Sequence, residues 1–157
     1  MSTLAASVIA PATAPNGGAE GVALLRVDAG LRRAIPREEC AFAERIVIVP
    51  RHDLEPGQWS PATLVKHSSQ PLGVLLLDGI ISHEVSLAGR CSAELFGPGD
   101  VVRPWPATEP ILPCATRWTT AGATIAVIDE RFVTAARRWP GLSSVIHERL
   151  ADQADRA

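Results

Sequence analysis

The sequence predicts a mainly β fold: a small antiparallel sandwich or barrel between about Ile46 and Ile128, with helices on either side. Three observations predict it. Short apolar or β-branched runs recur at hairpin spacing through the middle of the chain, Gly and Pro punctuate them, and helical periodicity is confined to the two ends. The 157 residues include 13 Pro and 12 Gly and no Tyr, which favours many turns over long helices. A chain of this length suits one domain with one substantial core.

Met1 to Gly21, rich in Ala, Pro, Thr and Gly, is expected to be a disordered tail. It lacks a basic leading stretch, and Pro11 interrupts its short apolar run, so it does not read as an export signal. Val22 to Arg33 predicts an amphipathic helix through Leu24, Leu25, Val27 and Leu31. Pro36 suits the first turn of a second short helix, on which Phe42 turns inward. The β-branched run Ile46 to Val49 predicts a strand ended by Pro50. Gln58-Trp59 is a short strand between turn signals, and Lys66 and His67 sit in a loop.

Gly73 to Leu77 predicts a strand, Asp78-Gly79 a turn and Ile80 to Leu87 a second strand. Strand alternation puts Ile81, His83, Val85 and Leu87 on one face of that second strand. Ala88-Gly89-Arg90 makes a tight connection to a strand at Cys91–Phe96. Gly97-Pro98-Gly99-Asp100 is a turn in which the Asp100 carboxylate accepts backbone hydrogens, and Val101–Arg103 follows as a short strand. Cys114–Thr120 and Ala123–Ile128 are two more strands. Asp129 caps a helix with Arg137 and Arg138 at its negative end, and Pro140-Gly141 stops it. A last helix starts at Leu142 and carries the apolar stripe Leu142, Val145, Ile146 and Leu150.

Composition excludes several functions. The net charge of -2 is no surface for holding nucleic acid by phosphate neutralisation, and no apolar run is long enough to span a bilayer. Cys40, Cys91 and Cys114 are widely spaced with no Cys-x-x-Cys pair, which disfavours zinc ribbons, iron–sulfur sites and redox pairs and suggests buried thiols in a cytoplasmic protein. His52, His67 and His147 are scattered, and no His-x-His pair is present, so no metal site is expected. No phosphate loop, Ser-His-Asp set or paired catalytic carboxylates are present, and no catalysis or cofactor is expected.

Three stretches carry a resemblance. Leu75-Leu76-Leu77-Asp78-Gly79 with the strand after it, Glu94-Leu95-Phe96-Gly97-Pro98-Gly99-Asp100-Val101-Val102, and Thr124 to Phe132 with Trp139-Pro140 resemble, in that order, the cyclic-nucleotide-binding-like sensor domain of Crp/Fnr-type transcription regulators. The resemblance implies a double-stranded β-helix, a jelly roll, followed by a C-terminal helix. It divides the chain into a tail (1–21), a sensor domain (22–141) and the start of a dimerisation helix (142–157). It implies an effector-sensing function with an unknown small molecule as partner. A stand-alone cupin-like binding or metal-dependent enzyme domain is the alternative.

The family's nucleotide pocket is not matched. Arg103-Pro104-Trp105-Pro106 follows Val102, and Pro113-Cys114 stand where a phosphate-pairing arginine is expected, so cyclic AMP is not expected to bind in the usual way. On the resemblance His83 faces the barrel interior as a ligand contact, with a hydrogen-bonded core histidine as the alternative. Arg103 and Arg117 offer cations to a ligand unless they are solvated surface arginines, and Trp105 is a pocket lid or a loop anchor. The resemblance implies a homodimer through Leu142, Val145, Ile146 and Leu150; packing of that stripe on the chain's own barrel is the other arrangement. Contact with DNA is expected only through a C-terminal helix-turn-helix domain that these residues do not contain.

Overall fold

The computed structural model describes residues 20–65, 71–105 and 114–156. The tail up to residue 19, the Lys66–His67 loop and Pro113 lie outside the described residues. Among the described residues seven strands, β1 (Glu20–Ala23), β2 (Ile48–Leu54), β3 (Gly57–Trp59), β4 (Gly73–Leu87), β5 (Arg90–Phe96), β6 (Val101–Val102) and β7 (Ala115–Ile128), form one antiparallel sheet. Its order is β1-β2-β7-β4-β5, with β3 pairing β7 and β6 pairing β4. This is the predicted mainly β architecture with flanking helices.

Its first elements differ from the sequence reading. Glu20 and Gly21, assigned to the tail, join Val22 in strand β1 (Glu20–Ala23), paired with β2 (Ile48–Leu54) so that Val22 faces Val49. Asp28 breaks the predicted first helix in two. It ends α1 (Leu24–Val27), and its carboxylate accepts the Leu31 amide at 2.9 Å as the N-cap of α2 (Ala29–Arg33). Leu24, Leu25 and Leu31 are buried while Val27 is left exposed. A 3-10 turn (Arg37–Glu39) leads into α3 (Cys40–Ile46). Phe42 does not turn inward: it lies on the surface, edge-on to Trp139 and beneath the Arg138 guanidinium, and Ala43 takes the buried position.

Ile46 belongs to α3, so the strand begins at Ile48 and continues through Pro50. Proline is tolerated because β7 pairs with β2 only from Arg51 onward, which leaves Pro50 paired on the β1 side alone. β3 (Gly57–Trp59) and a single helical turn, α4 (Ala62–Val65), follow.

The two longest strands are β4 (Gly73–Leu87) and β7 (Ala115–Ile128), each continuous where the sequence predicts two strands and a turn. They pair from Gly73 opposite Ile128 to Ser86 opposite Ala115. The Asp78-Gly79 signal marks register irregularities within the strand, between Leu76 and Asp78 and between Gly79 and Ile81. Gly79 sits at φ +83°, and a Cβ there would lie 2.1 Å from the Gly122 carbonyl oxygen, so any side chain would force the strands apart.

β4 returns to β5 (Arg90–Phe96) through a two-residue loop, with Leu87 opposite Arg90 and positive φ at both Ala88 (+50°) and Gly89 (+78°). Ala88 holds a Cβ in the left-handed region, which costs roughly 1 kcal/mol. Ala88→Asn is therefore expected to raise stability by about 0.5–1 kcal/mol, read as a higher urea midpoint at unchanged slope; a lower midpoint would refute the strain. In the next turn the Gly97 amide donates to Asp100 Oδ2 at 2.9 Å, as predicted, and β6 (Val101–Val102) follows.

Asp129 caps α5 (Glu130–Arg138) by accepting the Arg131 amide at 3.0 Å. Pro140 follows the end of α5 at Arg138, as predicted, and also opens the next helix. It is the first residue of α6 (Pro140–Arg156), a position where its missing amide hydrogen has no partner to lose.

Alternation along the strands divides the core in two. Val49, Leu75, Val101, Ala126 and Ile128 point to the helices, into a cluster with Leu24, Leu31, Phe132, Leu142 and Ile146. Val74, Leu76, Val102, Ile125 and Val127 point the other way, into a cluster with Trp59, Ile81, Phe96 and Trp118. Burial on both faces is why Gly73–Leu77 and Ile125–Ile128 read as unbroken apolar runs rather than alternating ones.

Candidate functional site

Residues directly opposite one another in antiparallel strands point to the same face. Trp59 on β3 faces Trp118 on β7, Trp118 faces His83 on β4, and His83 faces Glu94 on β5. One row of side chains therefore crosses four strands. The His83 ring stacks on Trp118 at 4.1 Å between centroids, and Trp59 meets Trp118 edge-on at 6.0 Å.

Beside the Trp59 end of this row lies a groove of about 570 Å³, within the range of ligand pockets. Trp59, Trp118, Pro61, Val65, Pro104 and Trp105 supply its apolar lining, with Gln58, Ser60, Thr116 and Arg117 along its border. Trp59 and Trp118 are buried and Trp105 is half-buried against the same cluster. Three of the four tryptophans of the chain thus converge here. Trp105 makes no ring contact with another aromatic among the described residues.

The four residues expected to contact a ligand separate. Trp105 lines the groove. His83 lies behind Trp118 as its stacking partner and is not in the lining. Arg117 borders the groove, but by alternation its side chain points to the face opposite Trp118, where it donates through Nε and Nη2 to Glu84, its cross-strand neighbour. Glu84 holds the Arg117 proton still more firmly than usual. Arg103 is outside the lining, and its Nε donates to the Leu72 carbonyl at 3.0 Å. Cation supply from Arg103 and Arg117 is therefore not what this geometry provides. Trp59, Pro61 and Val65 went unassigned in the sequence; the one available signal was the scarcity of aromatic residues, which makes each Trp informative.

Burial lowers the pKa of His83 below the usual histidine value, and the Glu94 carboxylate opposes that only in part. The unfolded chain then takes up the proton first as pH falls, so this contribution to stability is complete above pH 6.5 and declines through and below it. Denaturation at about pH 7.5 and 5.5 should show a loss on acidification that is smaller in His83→Gln; an identical loss in the variant would exclude His83 as its source.

The stripe on α6 is used inside the chain. Leu142 and Ile146 are 0% exposed within the helix-facing cluster, and Val145 and Leu150 pack against it half-buried. Of the two arrangements left open by the sequence, the described chain adopts packing on its own fold, and Leu142 and Ile146 are not surface groups for a second subunit. The cysteines form no disulfide; Cys91 is exposed, contrary to the expected burial, and Cys40 and Cys114 are half-buried. Among the described residues no three His, Cys, Asp or Glu side chains converge as a metal site, and no helix is long and apolar enough to cross a membrane.

No protein-family model matches the chain, and no curated protein sequence matches it. Among solved structures it is similar to a CooA mutant from Carboxydothermus hydrogenoformans, at 13% identity and a TM-score of 0.51, over 82% of this chain and 80% of that one. It also aligns with oxidized CprK in complex with o-chlorophenolacetic acid, at 13% identity and a TM-score of 0.46, over 73% of this chain and 46% of that one. The likeness to CooA is one of fold: a mostly antiparallel sheet, seven-stranded among the described residues, with flanking and C-terminal helices.

Proposed function

We propose that this chain is the effector-sensing domain of a Crp/Fnr-like transcription regulator, binding a small molecule in the tryptophan groove and acting without catalysis. The observation that carries the reading is the convergence of Trp59, Trp105 and Trp118 on one groove within a sensor-type fold. A route for relaying occupancy is built into the chain. Trp105 lies three residues after the end of β6, and β6 packs against α6. Arg149 of α6 donates to the Gly99 carbonyl in the turn before β6 at 3.2 Å. A guest that shifts Trp105 pulls on a segment attached to α6 within a few residues. In a whole regulator the relay would end in a DNA-reading domain, with residues 22–141 as sensor, 142–157 leading out of it, and a homodimer in the cytoplasm formed through surfaces other than Leu142 and Ile146.

Thermal unfolding with a metabolite panel tests this. A true effector raises the melting temperature in wild type, by about 2.7 kcal/mol of stability at a hundredfold excess over Kd, and fails to do so in Trp105→Ala. A ligand whose effect survives in Trp105→Ala binds elsewhere and would refute the groove. Cyclic AMP is expected to give no shift, because neither Arg103 nor Arg117 is placed to pair its phosphate.

A further inference from the structure

We propose that strand β5 pairs antiparallel with β5 of a second copy of this chain, two-fold symmetric about Ser92, and so joins two sheets into one. The pairing supplies a surface for the homodimer proposed above, yet it rests on the strand itself and not on the sensor reading.

Among the described residues β5 ends the sheet order. It pairs with β4 in unbroken register, from Ile81 opposite Phe96 to Leu87 opposite Arg90. Arg90, Cys91, Ser92, Ala93 and Leu95 are exposed, Leu95 to 67%. The strand holds no proline. A regular, open edge of this kind is a template for another strand unless proline, a bulge or like charges blunt it.

The backbone sets which residues of β5 are available. Leu87 and Arg90 close a two-residue loop, so they exchange their own hydrogen bonds. By alternation the amides and carbonyls of Arg90, Ser92 and Glu94 then point to β4, and those of Cys91, Ala93 and Leu95 point outward.

Charge selects both the occupant and the register. Arg90 and Glu94 lie on one face of the strand with Ser92 midway between them. About a two-fold axis at Ser92, Arg90 stands directly opposite the partner's Glu94, and Glu94 opposite the partner's Arg90. Cys91 and Ala93 exchange backbone hydrogen bonds with the partner's Ala93 and the partner's Cys91. Leu95 falls over the partner's Gly89, a position where a Cβ would meet nothing within 4 Å. Shifted to an axis at Ala93, Arg90 would face the partner's Phe96 and Glu94 the partner's Ser92, and both directly opposed ion pairs would be lost.

Sedimentation of the full chain tests the pairing. Dimer is expected at about 100 μM and monomer after about hundredfold dilution, as suits a small interface. Arg90→Glu sets like charges opposite one another twice and should weaken the dimer about tenfold or more, and adding Glu94→Arg should restore it. Ala93→Pro removes an outward amide that the β4 ladder does not use and should abolish the dimer, with its fold checked by the urea midpoint. In a Cys91→Ser background, Ser92→Cys should form a disulfide between subunits, because residues opposed in a non-hydrogen-bonded pair lie about 4.5 Å apart between Cα atoms. A monomer at the higher concentration overturns the inference. So does a dimer that survives Arg90→Glu or Ala93→Pro unweakened, or one that the charge swap fails to restore. Stronger cross-linking through Ala93→Cys than through Ser92→Cys overturns the register. None of these outcomes alters Trp105-dependent ligand binding, so failure here leaves the effector groove standing.

Discussion

Replacing Arg149 with Met is expected to lower stability by about 3 kcal/mol, the lower end of what removing one partner of a buried ion pair costs. Arg149 Nη1 donates to Asp28 Oδ2 at 2.6 Å and Nη2 to Oδ1 at 2.9 Å, a bidentate pair with the Asp28 side chain 9% exposed. The same carboxylate caps α2, and the same guanidinium reaches the Gly99 carbonyl. One side chain thus ties α6 to the N-terminal helices and to the turn before β6. Met preserves most of the volume and leaves Asp28 buried without its cation. Urea denaturation measures the loss; a change below about 1 kcal/mol would mean the pair behaves as an exposed one. Arg149→Lys keeps the charge but not the fork and should fall between the two.

The pair also sets an acid limb. Burial by itself raises the Asp28 pKa, but the Arg149 hydrogen bond, the Leu31 amide and the Arg149 charge outweigh it, and the carboxyl titrates below its usual value. The unfolded chain is therefore protonated first. The stabilisation is complete above pH 3.8 and is lost as pH falls through the depressed native value. Asp28→Asn should flatten that limb while keeping an acceptor for the Leu31 amide.

Ile146→Ala is expected to cost about 2–5 kcal/mol, the range for a buried Ile truncated to Ala. Ile146 is 0% exposed in a cluster shared with Phe132, Leu142 and strand residues from both long strands, so the surrounding atoms cannot close the void without moving several elements. Because this packing is internal, the melting-temperature loss should not depend on protein concentration over a roughly hundredfold range. A loss that shrinks as concentration rises would instead assign the stripe to a subunit interface.

Local features of the fold were legible in the sequence because they are encoded within a few residues. The Gly97–Asp100 turn, the Asp129 cap and the Ala88-Gly89 hairpin are each decided by side chains within reach of their own backbone. Alternation placed His83 on the face of Ile81, and the structure puts it there, stacked on Trp118. Turn residues inside long strands misled: Asp78-Gly79 and Gly122 look like breaks, but their backbone freedom accommodates the register shifts and close approach where β4 pairs with β7. The tail residues Glu20 and Gly21 became a strand only because β2 offered an edge.

By itself the sequence determined the mainly β class, the helices at the ends and the tight turns, since these depend on local backbone preference and periodicity. Only the tertiary structure decided which distant groups meet. Asp28 finds Arg149 across 121 residues, and Glu84 takes Arg117 away from the groove. Three tryptophans from separate elements share one groove, and the α6 stripe turns inward. Such pairings follow from the simultaneous packing of all elements, whose selection spreads over many weak contacts, and no short stretch of chain carries the information to choose among them.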